Sequence, residues 1–352
     1  MDLKQRIAAF VQLGKFLSDF AEAKEWQGYE HGVSKSDFEA FTALIHRVHH
    51  HNGWFSEEMV RKALGDWSGL LTEKNLEKWT SAYPELKNTG GNKRVALIMA
   101  GNIPLVGFHD LLSVLISGNS ALVKLSSDDD LLIPFLTDYL IQHIEPGFSG
   151  KVNYSKGKLE HFDAVIATGS DNSSRYFEHY FSSWPHIIRK NRTSVAVLSG
   201  LETEEQLKSL GHDIFDYYGL GCRSISKVFI PRDFDLDRLF GAIYSFKDVI
   251  HHKKYANNFD YHKALYLMNR DQLLENGFLL VKEDEGLHSP LGTLFVERYV
   301  SYDEVENKLA GLEEKIQCRV GTGGIPFGDA QRPALWDYAD GVDTMKFLIG
   351  LQ

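Results

Sequence analysis

Tyr218-Gly219-Leu220-Gly221-Cys222-Arg223-Ser224 sets a cysteine directly after two closely spaced glycines. A thiolate attacks carbonyls and thioesters well, and its covalent intermediate splits one hard step into two. The glycines leave room for a substrate to approach the sulfur. A free cysteine is more often a small buried hydrophobe, and the local residues leave both roles open for Cys222. Cys318, in Ile316-Gln317-Cys318-Arg319-Val320, sits in a strand-like alternation and fits the buried role. Two cysteines are too few for a disulfide framework or a Cys-based zinc site, so a free thiol in a reducing cytoplasm is expected. His46, His49, His50 and His51 could put two imidazoles on one helix face, as metal ligands need. No His-Glu-x-x-His accompanies them, so the expectation is a solvated helix end and no metal.

The elements around Cys222 are well specified. Thr203 and Gln206 form a capping box, and Leu207, Leu210, Ile214, Phe215 and Tyr218 line one face of the helix it opens. Gly219 is expected to end that helix, and Val228-Phe229-Ile230 to follow as a strand. Phe234-Asp235-Leu236 opens the next helix. Upstream, four apolar runs read as strands: residues 95–100, 121–123, 162–167 and 195–198. Helical patterns separate them, one carrying Phe108, Leu111, Leu112, Leu115 and Ile116. Another is opened by Ser127-Asp128-Asp129-Asp130, whose acidic residues suit a first turn. Strands alternating with helices argue a parallel sheet covered on both faces. Such a sheet binds ligands beyond the carboxyl ends of its strands. The residues there are Gly101-Asn102, Lys124-Leu125-Ser126-Ser127 and Thr168-Gly169-Ser170. Their small, polar composition suits a nucleotide, although turn chemistry alone favours the same types. No Gly-x-Gly-x-x-Gly follows the first strand, and Gly321-Thr322-Gly323-Gly324 reads as a loop.

The rest of the chain sets the frame. Its 352 residues suggest two domains, and Leu3, Ile7, Phe10, Val11 and Leu17 begin a helical stretch to about residue 88. Trp67, Leu70, Leu71, Leu76 and Trp79 suggest another helical stretch. Thr89-Gly90-Gly91-Asn92 marks a boundary. The net charge of -10 disfavours nonspecific binding to nucleic acid, which needs a basic surface. Charged residues interrupt the N-terminal stretch, so no signal peptide is expected. No run approaches the roughly 20 apolar residues of a membrane span. Lys282-Glu283-Asp284-Glu285 reads as a solvated turn. The tail from Pro326, with Trp336, Met345, Phe347 and Leu348, is too apolar to be free, and docking on its own subunit or a neighbour is expected.

In order, Gly101-Asn102-Ile103-Pro104, Lys124-Leu125-Ser126-Ser127, Ala167-Thr168-Gly169-Ser170 and Gly221-Cys222 resemble four turns of the aldehyde dehydrogenase superfamily. More narrowly, the chain is similar to the acyl-CoA reductases of the LuxC type. The likeness runs over roughly residues 90–350. It implies an α/β, aldehyde-dehydrogenase-like fold: an N-terminal helical segment (1–88), a parallel-sheet NAD(P)-binding domain (89–218), a catalytic α/β domain (219–325) and a docking tail (326–352). It also implies roles. Cys222 would be the nucleophile and Asn102 the oxyanion donor. Lys124 and Ser126 would contact the adenosine ribose, and Thr168, Gly169 and Ser170 would line the path of the pyrophosphate and nicotinamide.

Three departures from the superfamily bear on function. Ile188-Arg189-Lys190-Asn191-Arg192 stands where hydrolytic members carry a Glu that activates water. An acyl-enzyme lacking that base should wait for a thiol. Ser127 stands where an acid would hold the adenosine 2′-hydroxyl, which favours NADPH slightly over NADH. Ser289, in Ser289-Pro290-Leu291-Gly292-Thr293, replaces the Glu that orients the nicotinamide ribose. The resemblance thus implies NAD(P)H-dependent reduction of an acyl-CoA or acyl-carrier thioester to an aldehyde, in a cytoplasmic homo-oligomer. The alternatives are a hydrolytic aldehyde dehydrogenase making free acid and a non-catalytic partner that holds acyl groups or nucleotides.

Overall fold

The computed structural model describes residues 1–28, 33–87 and 92–351. Of the boundary expected at 89–92, only Asn92 falls among them. The chain divides into two compact units, Met1–Lys190 with Ala334–Gln352, and Asn191–Pro333.

The first unit opens with helices α1 (Leu3–Ser18), α2 (Lys35–Arg47), α3 (Glu57–Leu70) and α4 (Glu73–Ser81). Asp2, Ser34, Ser56 and Thr72 cap them with side-chain oxygens, each worth about 1 kcal/mol. The helical stretch expected over Trp67–Trp79 is shared by α3 and α4, because Thr72 starts a new helix after Leu71 leaves helical geometry. Phe16, Phe20 and Phe41 pack their rings together at the centre of this bundle.

Then come β1 (Arg94–Ile98), α5 (Phe108–Ile116), β2 (Ser120–Lys124), α6 (Leu132–Tyr139), β3 (Val152–Tyr154), β4 (Ala164–Thr168), α7 (Asp171–Tyr180) and β5 (His186–Arg189). Their five strands form one parallel sheet in the order β3-β2-β1-β4-β5. The short strands β3 and β5 carry too little apolar periodicity to be read from sequence. Residues 127–130 do not open a helix. α6 begins at Leu132 without a side-chain cap, and Asp129 turns inward. The tail docks as expected on its own chain. Met345 and Leu348 of the C-terminal helix Thr344–Ile349 are fully buried in the first unit's core, and Trp79 donates to the Tyr338 hydroxyl at 2.6 Å.

The second unit holds β6 (Thr193–Val197), α8 (Glu204–Phe215), β7 (Ile225–Pro231), α9 (Leu236–Ala242), α10 (Lys253–Asn269), β8 (Leu274–Glu275), β9 (Leu280–Glu283), β10 (Thr293–Tyr299), α11 (Tyr302–Ala310) and β11 (Ile316–Gly321). Its six-stranded sheet runs β11-β6-β7-β10-β9-β8, parallel except for β8. Strand 193–197 therefore belongs with β7 and β11, not with the first sheet as its place in the alternation suggested. A strand buried on both faces looks the same in sequence whichever sheet it joins. Lys282 and Glu283 lie in β9 rather than a turn, with Lys282 held by Asp284 at 2.9 Å.

Candidate functional site

In the first unit, the order of the strands reverses between β1 and β4. The chain winds outward from β1 through β2 to β3, then returns to β4 on the other side. Connections leaving in opposite directions open a crevice at the carboxyl ends of those two strands. Asn102 follows β1 on an exposed turn, and Thr168, Gly169 and Ser170 follow β4. Ser170 caps α7, its Oγ accepting the Ser173 N–H at 3.3 Å. Lys124 ends the neighbouring β2 with its side chain exposed, and Ser126 Oγ accepts the Asp128 N–H at 3.2 Å. All six sequence-predicted nucleotide and oxyanion residues thus stand along one edge of one sheet.

The turns at that edge are held by residues with no sequence signal. A Cβ on Gly101 would fall 2.7 Å from both Cβ and Oγ of Ser126, so only glycine lets the two turns meet. Asn52, buried between α2 and α3, spans both turns, donating from Nδ2 to the carbonyls of Asp128 at 3.2 Å and Gly101 at 3.4 Å. Asp129 Oδ2 accepts the Leu105 N–H at 3.0 Å, and Leu105 is left-handed at φ 61°. Burial pushes the Asp129 carboxyl up to about 7. Asn52 acts on partners 49 and 76 residues away, a relationship no local pattern encodes.

These residues fit a dinucleotide. The capped start of α7 offers backbone donors and a positive dipole end for a pyrophosphate. Exposed Lys124 and the Ser126 turn lie one strand over. Two departures take physical form. Ser289 is buried and its hydroxyl donates to the Thr293 carbonyl at 2.6 Å, so its one hydrogen is committed within its own turn. Arg189, in the stretch that replaces the Glu-bearing one, pairs with Asp110 at 2.5 Å and donates to Thr344 at 2.9 Å.

In the second unit, α8 ends at Phe215, earlier than Gly219. Tyr217 (φ 54°), Tyr218 (φ 58°) and Gly219 (φ 79°) then run left-handed in succession. For the two tyrosines this costs roughly 1–2 kcal/mol each. Both are buried, and Tyr218 stacks on His252 with ring centroids 4.1 Å apart. Strain held this way by surrounding packing is found at active sites. Cys222 follows, exposed, at the amino end of β7.

Its turn is fastened on several sides. The Ser224 N–H donates to the Gly221 carbonyl at 2.9 Å, and Ser224 Oγ accepts from Gln331 Nε2 at 2.9 Å. Arg223, buried, donates from Nε to the Ala330 carbonyl at 2.5 Å. Asp213 of α8 in turn accepts the N–H groups of Gly328 at 2.7 Å and Ala330 at 2.9 Å. Burial pushes the Asp213 carboxyl up to about 6.

A cavity of about 610 Å³ in this unit is lined by Ser199, Glu202, Glu205, Gly321, Thr322 and Phe327, among others. It lies past the carboxyl ends of β6 and β11, whereas Cys222 precedes the amino end of the parallel β7. The cavity is therefore at the other edge of the sheet from the thiol. Of the histidines of the N-terminal bundle, His46 pairs with Glu57 at 2.8 Å, and His49 and His50 pack ring against ring. Among the described residues no group of three or more His, Cys, Asp or Glu could hold a metal ion, and no helix is long and apolar enough to cross a membrane.

A parallel sheet and a second sheet parallel except for its edge strand β8, in these orders, make an aldehyde-dehydrogenase-like fold. The chain superposes over its full length on 84% of aldehyde dehydrogenase 21 from Physcomitrella patens, with a TM-score of 0.68 at 11% identity. It matches 69% of the AldA indole-3-acetaldehyde dehydrogenase of P. syringae, over 87% of its own length, with a TM-score of 0.61 at 15% identity. Within that fold, the model of the acyl-CoA reductase (LuxC) family matches residues 16–238, and the chain belongs to that family. It is 25% identical over 207 residues to the long-chain acyl-protein thioester reductase of Aliivibrio fischeri, which is 53% of this chain and 42% of that relative. For the Vibrio harveyi protein of the same description the identity is 23% over 211 residues, 54% of this chain and 43% of the relative. The matched stretch thus spans less than half the length of either relative.

Proposed function

We propose that this protein reduces an acyl thioester, an acyl-CoA or an acyl-carrier thioester, to an aldehyde with a reduced nicotinamide nucleotide. The observation that carries this is the exposed Cys222 thiol, set on a strained, multiply anchored turn in a chain of the LuxC family. The sulfur of Cys222, as thiolate, forms a bond to the acyl carbon, and the donor's sulfur leaves with its electron pair as thiolate. Asn102 is assigned to donate a hydrogen bond to the carbonyl oxygen as negative charge develops there. A bound reduced nicotinamide nucleotide supplies hydride to this chemistry. When the aldehyde departs, the carbon–sulfur bond breaks and Cys222 recovers its thiolate. The stretch 188–192 carries no carboxylate where a water-activating one would be needed for free acid, and its Arg189 guanidinium is engaged by Asp110 and Thr344.

The nucleotide is assigned to the β1/β4 crevice, with Lys124, Ser126, Thr168, Gly169 and Ser170 as its contacts. Ser127 alone would admit a 2′-phosphate. However, exposed Asp128 and Asp130 flank the same turn, and their charge disfavours one. NADH is therefore the better fit.

The test incubates purified protein with a panel of acyl-CoAs and a phosphopantetheine-bound acyl carrier, following NADH and NADPH absorbance and the product. Aldehyde formation that falls at least about a thousandfold in Cys222→Ala supports the reading. Equal cofactor oxidation in both proteins would overturn the nucleophile. Free acid as product would overturn the role given to the missing base. Saturable thioester binding without turnover would favour a carrier.

A further inference from the structure

Ser194 is fully buried in β6, between β11 and β7. Both ladders break beside it. On one side Ser194 pairs with Ile225 but Val195 with Lys227, so β7 carries an extra residue. On the other, Thr193 pairs with Ile316 but Val195 with Arg319, so β11 carries one too. Such bulges leave backbone groups unpaired and re-aim the chain, and they gather next to active sites.

The Ser194 hydroxyl takes up what the breaks release. Its Oγ accepts the Cys318 backbone N–H at 3.1 Å and lies 3.1 Å from the Cys318 thiol. Its own hydrogen is donated to the backbone carbonyl of Cys222 at 2.9 Å. A serine hydroxyl has one hydrogen to give, and this one is committed to the residue that bears the exposed thiol. Donation into the Cys222 carbonyl fixes the plane of the Cys222–Arg223 peptide from inside the sheet. The Arg223 side chain holds the same peptide's far side through Ala330. In a buried site, linked hydrogen bonds of this kind polarise and strengthen one another.

We infer that Ser194 is a positioning residue for Cys222: its hydroxyl, loaded by Cys318 at the double bulge, sets the backbone from which the nucleophile projects. This rests on Cys222 being the nucleophile. It gives the second cysteine of the chain a supporting role, in which Cys318 orients Ser194 rather than reacting.

The experiment uses the full chain as Ser194→Ala, Ser194→Thr and Cys222→Ala. It reads kcat and KM for an acyl-CoA, and the pH profile of Cys222 alkylation by iodoacetamide, followed by mass spectrometry of the Cys222 peptide. Ser194→Ala is expected to lower kcat about tenfold, the scale of one hydrogen bond needed at the transition state, with KM nearly unchanged. The alkylation profile should shift with it, and Ser194→Thr, which keeps the hydroxyl, should recover most of the loss. If Ser194→Ala fails to fold, the nearly isosteric and weaker donor Ser194→Cys decides by the same readings. An unchanged kcat and alkylation profile, with Cys222→Ala inactive, overturns the positioning role and leaves the nucleophile standing. Turnover surviving in Cys222→Ala removes the nucleophile instead, and the alkylation profile still decides whether Ser194 governs that thiol.

Discussion

Asp129 accepts the backbone N–H of Leu105 at 3.0 Å, so a buried carboxyl after β2 holds a left-handed residue on the turn that carries Asn102. Burial raises that carboxyl from 3.8 to about 7 in the folded chain. The folded state therefore binds a proton that the unfolded state has already lost between those values. The stability this supplies is complete below about pH 4 and is lost as pH rises through about 7, amounting to about 4 kcal/mol at most. Asp129→Asn removes the titration while keeping an acceptor for Leu105. Urea midpoints at pH 5 and pH 8 should show the wild type losing stability relative to the variant, and parallel curves would refute the coupling.

Gly101→Ala tests the meeting of the two strand-end turns. The added methyl would lie 2.7 Å from the Ser126 side chain and 3.0 Å from the Asp129 N–H nitrogen, so one turn must move. We expect nucleotide affinity, read by titration of nicotinamide fluorescence, to fall at least about tenfold, with a stability loss of about 1–3 kcal/mol from the overpacking. Unchanged affinity would detach this edge from nucleotide binding.

The choice of nucleotide rests on Asp128 and Asp130. The wild type should prefer NADH to NADPH, and Asp128→Asn with Asp130→Asn should narrow the ratio of kcat/KM by about tenfold, through loss of repulsion against a 2′-phosphate. A wild-type preference for NADPH would remove the charge argument.

Arg189 and Asp110 form a buried pair with each side chain 9% exposed, and Arg189 also donates to Thr344, the first residue of the C-terminal helix. Arg189→Ala strands a buried carboxylate. It should cost about 3–5 kcal/mol in urea denaturation. Arg189→Ala with Asp110→Ala should recover part of that loss, and no recovery would show that the pairing is not what the single change removes.

How much of this was open to a sequence reading follows from the range of each interaction. The Thr203–Gln206 capping box around α8 involves neighbours three residues apart, and it forms as expected. The parallel strands, the turns at their ends and the docked tail were likewise legible from apolar runs and turn residues. The sheet that β6 joins is not legible locally, because its partners are β7 and the distant β11, which lies beyond β7, β8, β9 and β10 in the chain. Asp128, Asp129 and Asp130 looked like one helix start, yet only Asp129 is buried, which depends on the distant Leu105 turn. The left-handed pair Tyr217–Tyr218 has no signal at all, since tyrosine is an unfavourable residue for that conformation. Its cost is met by tertiary packing, on His252 among others.

The first unit is discontinuous, and that orders its assembly in time. Trp79 bonds to Tyr338 across 259 residues of chain, and Asn119 to the Leu348 carbonyl across 229. A ribosome making this protein exposes the N-terminal bundle and the first sheet long before residues 334–352 exist to cover them. The contiguous second unit is complete first and can fold at once. Until those residues emerge, the nascent first unit lacks the partners of Trp79 and Asn119. In the cell, its exposure to chaperones and to aggregation is therefore set by the time taken to translate the second unit.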